Sequence, residues 1–133
     1  MTTLYQDRPL AAPIIDAATA PFWRAAAEGS LLIKHCPACG QTHWYPRSLC
    51  PYCMSDALEW QPACGLGTIY SVSVTRAANP APYAIAYVRL DEGVTMLSNI
   101  VDCDLDTLRI GDRVKVCFKA AEGGHAIPMF TPA

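Results

Sequence analysis

The sequence predicts a mainly β fold: a short N-terminal helix, a metal-stapled ribbon and a C-terminal five-stranded barrel. Three observations predict it. Four of the seven cysteines fall as Cys36-x2-Cys39-x10-Cys50-x2-Cys53. Apolar residues alternate with period two through much of the chain after Gly65, the pattern of half-buried strands. The one stretch with both helical start and stop signals is short and precedes the cysteines.

The 133 residues allow one compact domain with a small appendage rather than two full cores. The expected organisation is an N-terminal arm and docking helix over residues 1–30, a ribbon over 31–63 and a barrel over 64–133. The arm, which contains prolines, runs through Ile15. In the helix that follows, Thr19 suits the N-cap, Pro21 the first turn and Gly29 a left-handed end. Phe22 and Ala26 share one edge, Trp23 and Ala27 the next, while Arg24 and Glu28 lie elsewhere. A helix this short is marginal unless it docks. Its aromatic pair therefore either packs on the chain's own barrel or anchors a partner subunit.

Leu31 to His35 reads as a strand leading into the first cysteine pair, with a return strand near Leu58 to Gln61. Each Cys-x2-Cys pair is short enough to turn both thiolates toward one ion, and Gly40 permits the tight turn after Cys39. Cys36, Cys39, Cys50 and Cys53 are thus the expected ligands of one tetrahedral metal. Zn2+ held by four thiolates has no open position and is structural. In a ribbon this small, ligation would supply much of the folding free energy, about 10 kcal/mol in zinc-finger peptides. The competing metal is iron, because rubredoxin-type tips hold it with the same four sulfurs. His35 and His43 lie near the sulfurs, but two complete pairs leave them no vacancy. Trp44, Tyr45 and Arg47 on the connecting segment either stack on a ligand or, for the aromatics, cover the ribbon's small core.

After Gly67, the run Thr68 to Thr75 reads as a strand with Tyr70, Val72 and Val74 on one face. Tyr83 to Leu90 and Val94 to Val101 form a hairpin turned by Asp91-Glu92-Gly93. Val114, Val116 and Phe118 face one way in the next strand, with Arg113, Lys115, Cys117 and Lys119 opposite, and Ile127 to Phe130 supplies the fifth. Five short strands joined by a brief polar link suggest a Greek-key barrel of the OB type, whose closure protects its edges. In that link, Asp102-x-Asp104-x-Asp106 lacks the glycine and glutamate of a calcium loop and reads as a solvated turn.

Other chemistry is excluded by pattern. There is no phosphate-cradling glycine loop ending in Lys-Ser or Lys-Thr, and no Gly-x-Ser-x-Gly elbow. Cys64 could meet His125, but nothing in the sequence activates it; Cys64, Cys103 and Cys117 read as free thiols. Ten basic against 12 acidic residues give a net charge of −2, with the basic residues scattered. That disfavours nucleic acid as a partner. Apolar runs fall short of a membrane span, and an odd cysteine count fits a reducing, cytoplasmic setting.

In their order, Phe22-Trp23, Gly29-x-Leu31, Cys36-x2-Cys39-Gly40, Pro46-Arg47, Cys50-Pro51-x-Cys53, Gly65-x-Gly67-Thr68-x-Tyr70-Ser71, Leu90-Asp91-Glu92-Gly93, Ile110-Gly111-Asp112-x-Val114 and Pro128-x-Phe130-x-Pro132 resemble one family. It is the acyl-CoA-associated zinc-ribbon and OB-fold family, also known as domain-of-unknown-function family thirty-five. The likeness runs from about Thr19 to the end, with Met54 and Cys64 standing where glycine and a small residue are more usual. It implies a helix, a rubredoxin-like zinc ribbon and an OB barrel. It also implies a non-catalytic accessory subunit in a hetero-oligomer with a thiolase-like acyltransferase or aldolase, or a MaoC-like enoyl-CoA hydratase, acting in lipid metabolism. Such a subunit holds the complex together and can help to accommodate the CoA thioester. The four ribbon cysteines carry over as Zn2+ ligands; Phe22, Trp23 and Arg47 carry over as interface or CoA-proximal positions, and no catalytic residue does. Two alternatives stand beside this: a single-stranded nucleic-acid-binding OB protein and a rubredoxin-like electron carrier.

Overall fold

The computed structural model describes residues 2–133. One helix, α1 (Ala20–Ala27), is followed by a three-stranded sheet of β1 (Leu32–His35), β2 (Thr42–His43) and β3 (Glu59–Pro62) in the order β2-β1-β3. Five strands then close a barrel in the order β4-β5-β6-β8-β7: β4 (Leu66–Thr75), β5 (Tyr83–Leu90), β6 (Thr95–Ile100), β7 (Arg113–Ala120) and β8 (Ala126–Pro132). All barrel pairings are antiparallel except β6 with β8, which meet in parallel at Ile100 and Phe130.

The helix ends as its sequence dictates. Gly29 is left-handed at φ +82°, the Ser30 N–H reaches the Ala25 carbonyl at 2.9 Å, and the Gly29 N–H reaches Ala26 at 3.0 Å. These two bonds satisfy carbonyls that the last turn leaves open. Its start differs from expectation. Thr19 is the N-cap residue, but its hydroxyl makes no capping bond and is engaged with Asp16 instead, whose own carboxylate accepts the Thr19 N–H at 3.0 Å. Phe22 and Ala26 are the buried positions of α1, which packs against β8 and β1.

Helix, ribbon and barrel share one core. Phe22, Leu31 and Ile33 are buried together with Ile69, Val88, Leu90, Met96, Ile100, Val114 and Phe130. The ribbon's apolar side chains are therefore covered by the barrel and helix rather than by the ribbon itself, which is too small to enclose them.

Two local expectations are corrected. Tyr70 does not share a face with Val72 and Val74. Pairing with β5 runs Ile69 with Val88 and then Ser71 with Tyr87, so Tyr70 is the extra residue of a bulge and stands 57% exposed. A bulge inserts one residue and reverses the facing pattern beyond it, leaving Ile69, Val72 and Val74 on the inner side. The Asp102 to Asp106 link, in turn, is a clasp rather than a free turn. The Asp104 carboxylate accepts the N–H groups of Thr3 and Asp106, Asp106 accepts the Thr3 hydroxyl at 2.7 Å and pairs with Arg76, and Lys119 reaches Asp102 at 2.7 Å. Backbone bonds from Tyr5 to Cys103 and from Leu105 to Thr3 strap the arm along the same link.

Candidate metal centre and its surroundings

The ribbon carries two loops built alike. In the first, the Cys36 N–H bonds to the Gln41 carbonyl and the Gly40 N–H to the Cys36 carbonyl, both at 2.8 Å. In the second, Cys50 bonds to Ser55 and Met54 to Cys50, both at 2.9 Å. Each loop needs a left-handed residue directly after its second cysteine. Gly40 supplies one at φ +79°, whereas Met54 is forced into one at φ +66°, a conformation that strains a side-chain-bearing residue by about 1–2 kcal/mol.

The loops bring Cys36, Cys39, Cys50 and Cys53 together, with all four sulfurs within 4.8 Å of one another. The Cys36 and Cys53 sulfurs lie 3.6 Å apart, and those of Cys39 and Cys50 lie 3.7 Å apart. A tetrahedron with metal–sulfur bonds of about 2.3 Å has edges of about 3.8 Å, so the four sulfurs fit one such ion. Their acid–base chemistry agrees. Burial works against ionising Cys50, but N–H groups of Tyr52 and Cys53 directed at its sulfur bring the thiol down to about 7. The Ser55 N–H favours the Cys53 thiolate, yet burial and the neighbouring sulfurs push that thiol up to about 12. Thiolates crowded this closely repel one another, and a cation placed among them removes that repulsion.

No other group of three or more His, Cys, Asp or Glu side chains converges in this way among the described residues. His43 is buried, and burial, reinforced by the Arg47 and Lys34 cations, holds its imidazole below the ordinary value, so it stays neutral at pH 7. Four sulfurs fill a tetrahedral shell, which leaves no position at the metal for water or substrate. Cys64 is exposed, and among the described residues no hydrogen bond joins it to His125. Burial raises the thiols of Cys103 and Cys117, helped in both cases by the nearby Asp102 carboxylate.

The aromatic residues form one cluster beside the ribbon. Phe22 is 1% exposed and meets Trp23 edge-on at 4.9 Å, Tyr45 at 5.7 Å and Trp44 at 6.1 Å. The Phe22 ring is thus spent inside the chain, while half-buried Trp23 donates its indole N–H to the Tyr45 hydroxyl at 3.1 Å. Trp23 and Tyr45 line a shallow apolar groove of about 230 Å3 shared with Leu97 and Ile127. Arg47 is exposed and is not part of this cluster.

The sequence reading missed the outer face of the barrel. Ile85, Tyr87 and Leu97 point away from the core, 42–48% exposed. The signal was legible in Tyr83 to Leu90, where every outward position before Arg89 is Tyr or Ile rather than a charged residue. No helix among the described residues is long and apolar enough to cross a membrane.

Comparison with known proteins adds a consistent set of likenesses. Residues 23–59 match the family model "ChsH2, rubredoxin-like zinc ribbon domain", and residues 60–119 match "ChsH2, C-terminal OB-fold domain". A DUF35 domain-containing scaffold protein of Methanothermobacter thermautotrophicus is 39% identical over 63% of this chain and 68% of its own length. A probable enoyl-CoA hydratase alpha subunit of Thermomonospora curvata is 33% identical over 91% of this chain, but the chain spans only 39% of that subunit. A solved chain described as "Ltp2-ChsH2(DUF35) aldolase" superposes with a TM-score of 0.78 at 31% identity, covering 91% of this chain and 98% of that one.

Proposed function

This chain belongs to the DUF35/ChsH2 family of zinc-ribbon and OB-fold proteins, and on that premise we propose that it is a non-catalytic accessory subunit of an acyl-CoA-processing complex. Its partner in this reading is a thiolase-like aldolase or acyltransferase, or a MaoC-like hydratase, which carries the catalytic residues. The observation that carries the reading is the likeness to the chain from the aldolase, which is matched over 98% of its length. The likeness to part of a hydratase subunit widens the partner class without changing the role. A saturated four-sulfur site agrees with a supporting role, because it offers no coordination position for chemistry.

The metal in this reading is Zn2+, which when bound ties the two loops into one rigid tip. The working division is 1–30 for arm and helix, 31–63 for ribbon and 64–133 for barrel. Trp23 and Arg47 face the partner or the CoA thioester, and Phe22 fixes the helix from within. The setting in this reading is cytoplasmic, because an odd number of cysteines, with four committed to a metal, suits a reducing compartment.

Co-expression of the full chain with a thiolase-like subunit, and separately with a MaoC-like subunit, from its own organism tests this. One of the two pairs co-elutes as a stable hetero-oligomer in native mass spectrometry, with one zinc per chain. Trp23→Ala weakens that association without lowering zinc content. A monodisperse chain that stays partner-free with both subunits overturns the proposal.

A further inference from the structure

A buried donor or acceptor without a partner has given up its water for nothing, so such atoms are rare inside proteins. Among the described residues four side-chain atoms are in that state: both ring nitrogens of His43, the indole nitrogen of Trp44 and the Oε1 atom of Glu92. They come from separate elements. His43 ends β2 and Trp44 follows it, whereas Glu92 lies in the turn between β5 and β6. All three residues nevertheless line one cleft of about 640 Å3 between the ribbon and the barrel. Gln41, Thr42, Gln61 and Thr95 line it too, so its walls are rich in hydrogen-bonding groups.

The unpaired atoms prescribe their complement. The Trp44 indole only donates, and the Glu92 carboxylate only accepts. The His43 ring, held neutral, carries one donor and one acceptor. Glu92 is also fixed in place, because its other oxygen accepts the Cys64 N–H at 2.8 Å. A simple anion cannot satisfy Glu92, and a metal cation cannot satisfy Trp44. A group that donates and accepts from adjacent atoms serves both, as a planar amide does. One water does so too, but its share of liquid volume, about 30 Å3, is a small fraction of the cleft. Because the four atoms are closed to bulk solvent, a ligand reaches them by parting the turn slightly from the ribbon.

We propose that this cleft binds a small carboxamide, whose N–H donates to Glu92 and whose carbonyl oxygen accepts from Trp44 or His43. Trp44, Tyr52 and Val94 supply flat or apolar surface beside those groups, which suits an aromatic amide. The site does not depend on the accessory-subunit reading and stands or falls separately from it.

Benzamide titrated into the full, metal-loaded chain tests this, with calorimetry for affinity and heteronuclear NMR for the indole N–H resonances. Benzamide binds saturably, and the largest indole shift is at Trp44 rather than at Trp23, whose N–H already pairs with Tyr45. Acetophenone lacks the donor, and benzoate lacks it and adds a negative charge, so each binds about tenfold or more weakly. Glu92→Gln keeps the shape and can keep the Cys64 bond, but it puts an amide donor where the free oxygen stood and weakens benzamide binding by about tenfold. Circular dichroism and metal content identify folded variants. His43→Phe, which removes a donor and an acceptor and also weakens binding, replaces Glu92→Gln where that variant fails them. Equal affinity for benzamide and acetophenone, or a folded variant that binds benzamide within about twofold of wild type, overturns the proposal. So does a Trp44 resonance that stays unmoved up to the solubility of benzamide, which assigns the cleft to ordered water.

Discussion

The ribbon and the barrel meet the same requirement by different means. The barrel closes its sheet on itself, pairing β4 with β7, and fills the interior with Ile69, Val88, Leu90, Met96, Ile100, Val114 and Phe130. Its order comes from burial and from the absence of an open edge. The ribbon has three short strands, contributes Leu31 and Ile33 to a core that is mostly the barrel's, and gathers four sulfurs at its tip. Those four sulfurs are spaced for one metal ion, whose coordination would order the tip. The two schemes meet at Phe22 and Ile33, where barrel, helix and ribbon share side-chain contacts.

Metal removal should break the comparison most severely. Stripping the ion removes about 10 kcal/mol of local stabilisation on the scale of zinc-finger peptides. Hydrogen exchange then shows loss of protection at Cys36 to Cys53, while β5 and β7 stay protected. Simultaneous loss of protection in both regions would make the metal responsible for the barrel as well. Truncating the barrel's interior is the reciprocal experiment. Phe130→Ala costs about 3–5 kcal/mol, a large share of a small domain's total, and lowers the denaturation midpoint while metal content per folded chain stays unchanged. The smallest effect compares the two loops with each other. Met54→Gly relieves the left-handed strain that Gly40 avoids in the sister loop and raises stability by about 1 kcal/mol, read as a modest rise in Tm. A fall in Tm would show that the Met54 side chain contributes more than its backbone strain costs.

Legibility in the sequence followed the range of the interactions. The metal site could be read because its ligands come in pairs closed by bonds within each loop, such as Gly40 to Cys36. Strands β5 and β7 could be read because their alternation is unbroken. Periodicity alone puts Tyr70 on the inner face because a bulge leaves no mark in a short apolar run; it shows only when β4 is set against β5. Asp104 and Asp106 look like solvated residues in the sequence because their partner Thr3 lies about a hundred positions away.

By itself, then, the sequence determined the four-sulfur cluster, the short helix with its glycine end and the five barrel strands, since each rests on spacing or periodicity along a few consecutive residues. Only the tertiary structure decided that Phe22 is spent in the core while Trp23 stays half-buried at a groove. It alone showed that the arm is clasped by the Asp102 to Asp106 link, and that Tyr70, Ile85, Tyr87 and Leu97 stand outward. These depend on which distant segments come to lie against one another, and pairing between strands sets that outcome after local pattern has formed them.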